Sequence, residues 1–127
     1  MRLYLLIALG GAVGTVARYF IGSHFAVGEA FPWATLLINV SGSFAIGLGA
    51  TLVAEGRWFA TTEGRIFFTT GLCGGFTTFS AFSLQTLVLA QKGEWLRAGS
   101  YVVSSVVICL VAVWLGYVVA NLFNPSR

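Results

Sequence analysis

Charge is what this sequence has least of. Seven basic and four acidic side chains make up 9% of 127 residues, where soluble domains carry about 25%. That scarcity excludes an ordinary water-facing surface. The four acids, Glu29, Glu55, Glu63 and Glu94, lie far apart and at the ends of apolar segments. No carboxylate pair is therefore on hand for general acid–base work. With a single histidine, His24, and no phosphate-binding loop, an enzyme is the least supported class. Two cysteines, Cys73 and Cys109, both sit in apolar runs and read as small buried hydrophobes. With one histidine they make neither a metal cluster nor a disulfide framework. The cations Arg2, Arg18, Arg57, Arg65, Lys92, Arg97 and Arg127 form no basic run, and a net charge of +3 does not point to nucleic acid.

What is abundant is apolar sequence. The chain is 57% hydrophobic, with a mean hydropathy of +0.89. It predicts an all-α membrane protein, a single transmembrane domain over residues 1–127 with four transmembrane helices of about 20 to 30 residues each. The expected spans are 3–25, 33–53, 62–91 and 96–123. The first is too long for the apolar core of a signal peptide, and no small-residue cleavage site follows it, so it is expected to be retained.

Polar and small residues inside these spans carry the information. In span one, Gly10 and Gly14 are four apart, a spacing that lets two helix backbones approach closely. Arg18 follows on the same face, about 24 Å along a helix begun at Leu3. It either snorkels to the interface or makes an aqueous vestibule attractive to anions. In span two, Asn39 is a mid-membrane carboxamide that must find partners. A structural interhelix bond and a pore-lining N–H donor are equally open readings. In span four, Tyr101, Ser105 and Cys109 recur every four residues as a thin polar stripe.

Span three is the anomaly. Its expected length is about 30 residues, more than the roughly 20 a crossing needs. It contains Gly71-Leu72-Cys73-Gly74-Gly75-Phe76-Thr77-Thr78-Phe79-Ser80-Ala81-Phe82-Ser83. Glycine costs about 1 kcal/mol in a helix interior, and the surplus length fits a helix broken near Gly74–Thr78. Such a break frees carbonyls on one side and N–H groups on the other. The first can attract a cation and the second an anion. Beyond it, Phe79 and Phe82 share one face, as do Ser80 and Ser83. The aromatic row is either packing or a set of positive ring edges facing an anion. Thr62 is expected to cap the start of the span, with Glu63 and Arg65 in its first turn.

Orientation is nearly balanced. Arg2, Arg57, Arg65 and Arg127 fall on one side, and Lys92, Arg97 and Arg18 on or near the other. So weak a positive-inside bias permits insertion both ways and an antiparallel dimer. In such a dimer the same residues from both copies meet on a two-fold axis.

These residues resemble the Fluc (CrcB) family of fluoride channels. The matching stretches are Gly10-Gly11-x-x-Gly14 with Arg18-Tyr19, then Thr35-Leu36-x-x-Asn39-x-x-Gly42 with Phe44 and Gly47, then the segment from Gly71 to Ser83. The resemblance implies an antiparallel dual-topology homodimer with two fluoride pores. It implies Phe79 and Phe82 lining the path, with Asn39, Ser80 and Ser83 as donors, Tyr101 and Ser105 on the polar track and Arg18 at the vestibule. It further implies a structural sodium ion at the dimer centre, held by the backbone carbonyls of Gly74 and Thr77 from each copy. The implied role is passive fluoride export across the bacterial inner membrane, and hence fluoride resistance. The sequence departs from the family's common pattern at Ala81, Gln85 and Cys109. A small coupled exporter of the multidrug-resistance type is the alternative, but it wants a membrane-embedded acid. A non-transporting scaffold would explain the glycines without explaining Asn39 and the clustered hydroxyls.

Overall fold

The computed structural model describes residues 1–25, 31–54 and 61–123. Every regular element among them is helical. Helix α1 runs Arg2–Phe25 and α2 runs Trp33–Ala54. The third span is assembled from pieces. These are α3 (Thr62–Ile66), a π-helical segment (Phe67–Cys73), α4 (Gly74–Phe76) and α5 (Phe79–Gln91). Helix α6 runs Trp95–Leu122. Four helical stretches are long and apolar enough to cross a membrane, the third being Thr62–Gln91 as a whole. Of the charged residues used in the orientation argument, Arg57 and Arg127 lie outside the described residues, as do Glu29 and Glu55.

The third span runs over the expected residues, Thr62–Gln91, but its cap lies one residue earlier than the sequence suggests. Thr61, not Thr62, is the N-cap. Its backbone is extended, so its Oγ1 can turn back and accept the Gly64 N–H at 3.1 Å. At the other end, Gly93 takes φ +77°, and its N–H and that of Glu94 return to Ala90 O and Leu89 O. This glycine-closed terminus reverses the chain into α6. Glu94 and Arg97 pair across the new first turn at 2.9 Å.

The break is narrower than expected, and the glycines are not in it. Gly74 and Gly75 are helical. Only Thr77 (φ −79°, ψ 159°) and Thr78 (φ −151°, ψ 109°) are extended. Gly71 and Gly75 answer a different demand, the approach of α1, whereas a Cβ on Gly74 would meet only Thr69 O, at 3.7 Å. A Cβ on Gly75 would stand 2.5 Å from Gly11 O, and one on Gly10 would stand 2.8 Å from Phe67 O. A Cβ on Gly14 would run into Leu72 O and lie 2.8 Å from Phe76 N. The spacing Gly10-x-x-x-Gly14 is met by Gly71-x-x-x-Gly75, so two backbones touch with no side chain between them. The π-helical segment was not foreseen, because Phe67–Cys73 holds no breaker before Gly71. It widens the turn just where Phe67 O and Gly71 press on Gly10. Such turns concentrate at functional sites.

Helices α2 and α6 form the other tight pair, with Gly47 against the Val113 backbone and Gly116 against Phe44 and Leu48. The core proper is small. Leu36, Phe82, Leu89 and Ala98 surround Tyr101, the one large side chain fully buried among the described residues. Elsewhere Leu5, Leu9, Val13 and Val16 of α1 and Val103, Val107 and Leu110 of α6 are exposed. So much apolar surface is not stable against water; it suits a bilayer or another apolar surface.

This packing predicts a sharp contrast between glycines. Gly14→Ala forces backbone apart and should destabilise the protein by about 1–3 kcal/mol or more. Gly99→Ala, where nothing lies within 4 Å of the new methyl, should be neutral or stabilising by up to about 1 kcal/mol. Thermal melts of the purified protein in detergent check this. Equal melting temperatures for the two variants would disprove the close-contact account.

Candidate functional site

The two extended threonines leave backbone groups that the helix can no longer satisfy, and one side chain answers most of that need. Asn39 on α2 accepts the Thr78 N–H on Oδ1 at 2.8 Å and donates from Nδ2 to Thr78 O at 3.1 Å. The carboxamide thus pairs with the peptide as a neighbouring strand would. One Nδ2 hydrogen remains, because the amide has two. The structural reading of Asn39 is therefore observed, and it leaves a donor spare.

Local hydroxyls finish both ends of the break. Thr78 Oγ1 accepts the Ala81 N–H at 3.1 Å and so caps α5, and it stands 3.2 Å from Ser80 Oγ. Thr77 sends its N–H and its hydroxyl to Cys73 O, each at 3.0 Å. Arg18 Nε donates to Gly75 O at 3.1 Å, with Thr15 Oγ1 at 3.4 Å from the same oxygen. The carbonyls of Gly74 and Thr77 accept no hydrogen bond from the other described residues. They are hard oxygen donors of the kind that alkali and alkaline-earth cations take.

A groove of about 470 Å³ opens between α2, the break and α6. Asn39, Thr77, Phe79, Phe82 and Ser105 all line it, and the thiols of Cys73 and Cys109 complete its wall. Phe79 is 76% exposed and Phe82 8%, with ring centroids 5.2 Å apart at 45°. Phe82 in turn contacts the Tyr101 ring at 5.2 Å. Hydroxyls in these helices mostly spend their proton on a carbonyl one turn back. Ser41, Thr51, Thr69, Ser83 and Thr86 all do so. Ser105 does not. Its Oγ is the one buried side-chain polar atom without a hydrogen-bond partner among the described residues.

The site residues expected from sequence thus divide. Asn39, Gly74, Thr77, Phe79, Phe82 and Ser105 come together on one groove. Ser80 and Ser83 are exposed outside its lining, and Ser83 donates to Phe79 O. Tyr101 is fully buried beside Phe82, and its hydroxyl donates to Gln85 Oε1 at 2.9 Å. Arg18 stands half-buried on α1 and reaches the break from the far side. The sequence placed Thr78 in the break but did not show its pairing with Asn39, and it gave no sign of Thr15 or of the partnership of Gln85 with Tyr101. Gln85 had stood out only as a departure from the family's common pattern. No carboxylate lines the groove, and no group of three or more His, Cys, Asp or Glu occurs among the described residues.

The Asn39 clamp yields a direct prediction. Asn39→Leu keeps the volume roughly but strands the Thr78 N–H and C=O. Each unpaired buried group costs about 1–3 kcal/mol. The variant should melt well below the wild-type protein in detergent and expose the Thr78 amide to hydrogen exchange. Wild-type protection at Thr78 would show that something other than Asn39 holds the break.

Comparison with known proteins places this geometry in a family. Residues 5–117 match the family model described as CrcB-like protein, Camphor Resistance (CrcB). A protein of Paramagnetospirillum magneticum is 58% identical over 127 residues, covering 98% of this chain and 99% of its own length. One of Opitutus terrae is 58% identical, covering 100% and 98%, and one of Rhodospirillum rubrum is 54% identical, covering 97% and 98%. Each of the three carries the name fluoride-specific ion channel FluC. With these similarities running through all four apolar helices, the chain is a multi-pass membrane protein that belongs to the CrcB-like family.

Proposed function

We propose that the protein is a fluoride-selective channel that lets fluoride leave the bacterial cytoplasm passively through the inner membrane. The observation that carries this is the full-length 58% identity to proteins named as fluoride-specific channels. The groove supplies chemistry in keeping with it. Fluoride is small and strongly hydrated, so a pore must replace its water with donors yet still release it. The spare Nδ2 hydrogen of Asn39 and the uncommitted Ser105 hydroxyl are such donors. The positive edges of the Phe79 and Phe82 rings add weaker attraction that is reluctant to hold the ion. Tyr101, tied to Gln85 and packed on Phe82, fixes the angle of the inner ring. Cys109 contributes a weaker donor than a hydroxyl would.

The working unit in this proposal is an antiparallel homodimer. The groove and the exposed apolar faces of α1 and α6 have to meet lipid or another copy, and a two-fold axis in the membrane plane brings both breaks together. The Gly74 and Thr77 carbonyls of each copy would then hold a sodium ion. When bound, it supplies fixed positive charge at the dimer centre and satisfies oxygens the break releases. The chain's own part is to keep those oxygens out of helical hydrogen bonds: Asn39 takes the Thr78 N–H that Gly74 O would otherwise accept, and Thr78 Oγ1 takes the Ala81 N–H that Thr77 O would otherwise accept. A proton- or cation-coupled exporter would need an embedded acid, and among the described residues no carboxylate lines the groove.

Two measurements bear on this reading. Liposomes carrying the purified protein should lose fluoride rapidly and chloride hardly at all; equal efflux of both anions sinks the channel assignment. Phe79→Ile, at the exposed ring, should slow fluoride flux by at least about tenfold, or ~1.4 kcal/mol in barrier, while the protein remains folded. Unchanged flux would remove Phe79 from the path.

A further inference from the structure

The guanidinium of Arg18 is held where a vestibule charge need not be. Its Nε donates to Gly75 O at 3.1 Å. Gly75 is the residue between Gly74 and the Phe76–Thr77 step, so its carbonyl sits among the last carbonyls before the break. The chain from Thr62 to Phe76 is continuously helical, and its C-terminal carbonyls form the negative end of that helix dipole. Arginine stays charged in any protein environment. Among the described residues no carboxylate pairs with it. Only Nε is used, so the two terminal amino groups keep four N–H donors in a planar fork. Placement is fixed from the α1 side, since Gly14 lets the backbone touch Leu72 and Phe76 one turn before Arg18.

We propose that Arg18 couples anion binding at its guanidinium to cation binding at the break, through the shared Gly75 carbonyl. This rests on the reading of Gly74 and Thr77 as a sodium site. Arg18 and a cation on the neighbouring carbonyls repel across one peptide, in surroundings poor in water and in compensating charge. Alone, Arg18 weakens the cation site. An anion in the open fork of Arg18 neutralises it and so tightens the cation. Coupling between two sites is reciprocal, so the cation tightens the anion equally. Arg18 then does more than attract anions. It makes the first anion at the mouth and the central cation support each other, as a positioning residue for the ion pathway.

The experiment measures stability and needs no flux. The melting temperature of the purified protein in detergent is followed as sodium isethionate replaces N-methylglucamine isethionate at constant ionic strength. The quantity read is the sodium concentration giving half of the full rise. In the wild-type protein, N-methylglucamine fluoride should lower that midpoint by about three- to tenfold. Arg18→Gln should show a lowered midpoint without fluoride and no further response to it. Arg18→Lys keeps the charge and should behave like wild type without fluoride. A merely structural Arg18 lowers the melting temperature of both variants and leaves the midpoints in place. A sodium-dependent rise whose midpoint ignores fluoride in the wild-type protein overturns the coupling alone, whether or not the variants fold. No sodium-dependent rise in the wild-type protein overturns the sodium site, and the coupling with it.

Discussion

Two hydrogen bonds between Asn39 and Thr78 hold the arrangement that everything else depends on. In a hydrocarbon layer a free peptide N–H or C=O costs several kcal/mol, so a chain there is held to regular helix. Thr77 and Thr78 escape that rule because a side chain from α2 stands in for the missing backbone partner. The same carboxamide does a second thing. By occupying the Thr78 N–H it denies Gly74 O its helical donor, as Thr78 Oγ1, by taking the Ala81 N–H, denies Thr77 O its own.

The clamp works only if α2, α1 and the third span are brought to fixed distances, and that is the work of the glycines. Gly10, Gly14, Gly71 and Gly75 remove the side chains that would separate α1 from the half-helix before the break. Gly47 and Gly116 do the same between α2 and α6. The Arg18 guanidinium and the Thr15 hydroxyl near the contact then tie α1 to the break by donating to Gly75 O. With little charge and a small core, the fold relies on backbone proximity and on nearly complete satisfaction of polar groups. Ser105, buried and unpartnered on the groove, stands out against that background. It lines the same groove as Phe79 and Phe82.

How much of this was legible in the sequence varies with the physics involved. The four apolar helices were, since hydropathy and length reflect the cost of burying polar groups in lipid. A disruption in span three was legible from its excess length and from Gly71 to Ser83. Its mechanism was not. Gly74 and Gly75 were read as breakers because glycine disfavours helix locally, yet both are helical; at Gly75 a tertiary contact with Gly11 requires the absence of a side chain, whereas a Cβ on Gly74 would meet only Thr69 O at 3.7 Å. Thr77 and Thr78 carry no strong local preference that marks them; they are extended because Asn39 and their own hydroxyls satisfy them there. The π-helical turn at Phe67–Cys73 lies where the third span meets Gly10 of α1, a contact that no local pattern records.

By itself, then, the sequence determined the class of solvent, the number of helices and the set of chemically unusual residues. Those properties follow from transfer free energies and periodicity, which are sums over local residues. Tertiary structure decided which of those residues meet. It gathered Asn39, Phe79, Phe82 and Ser105 on one groove and buried Tyr101 behind Phe82 against Gln85. It also turned Arg18 from a residue near an interface into a ligand of the broken helix. Such pairings depend on helix approach distances set by glycine contacts some 60 residues apart in the chain, such as Gly10 with Gly71 and Gly11 with Gly75. No local property of either partner encodes them.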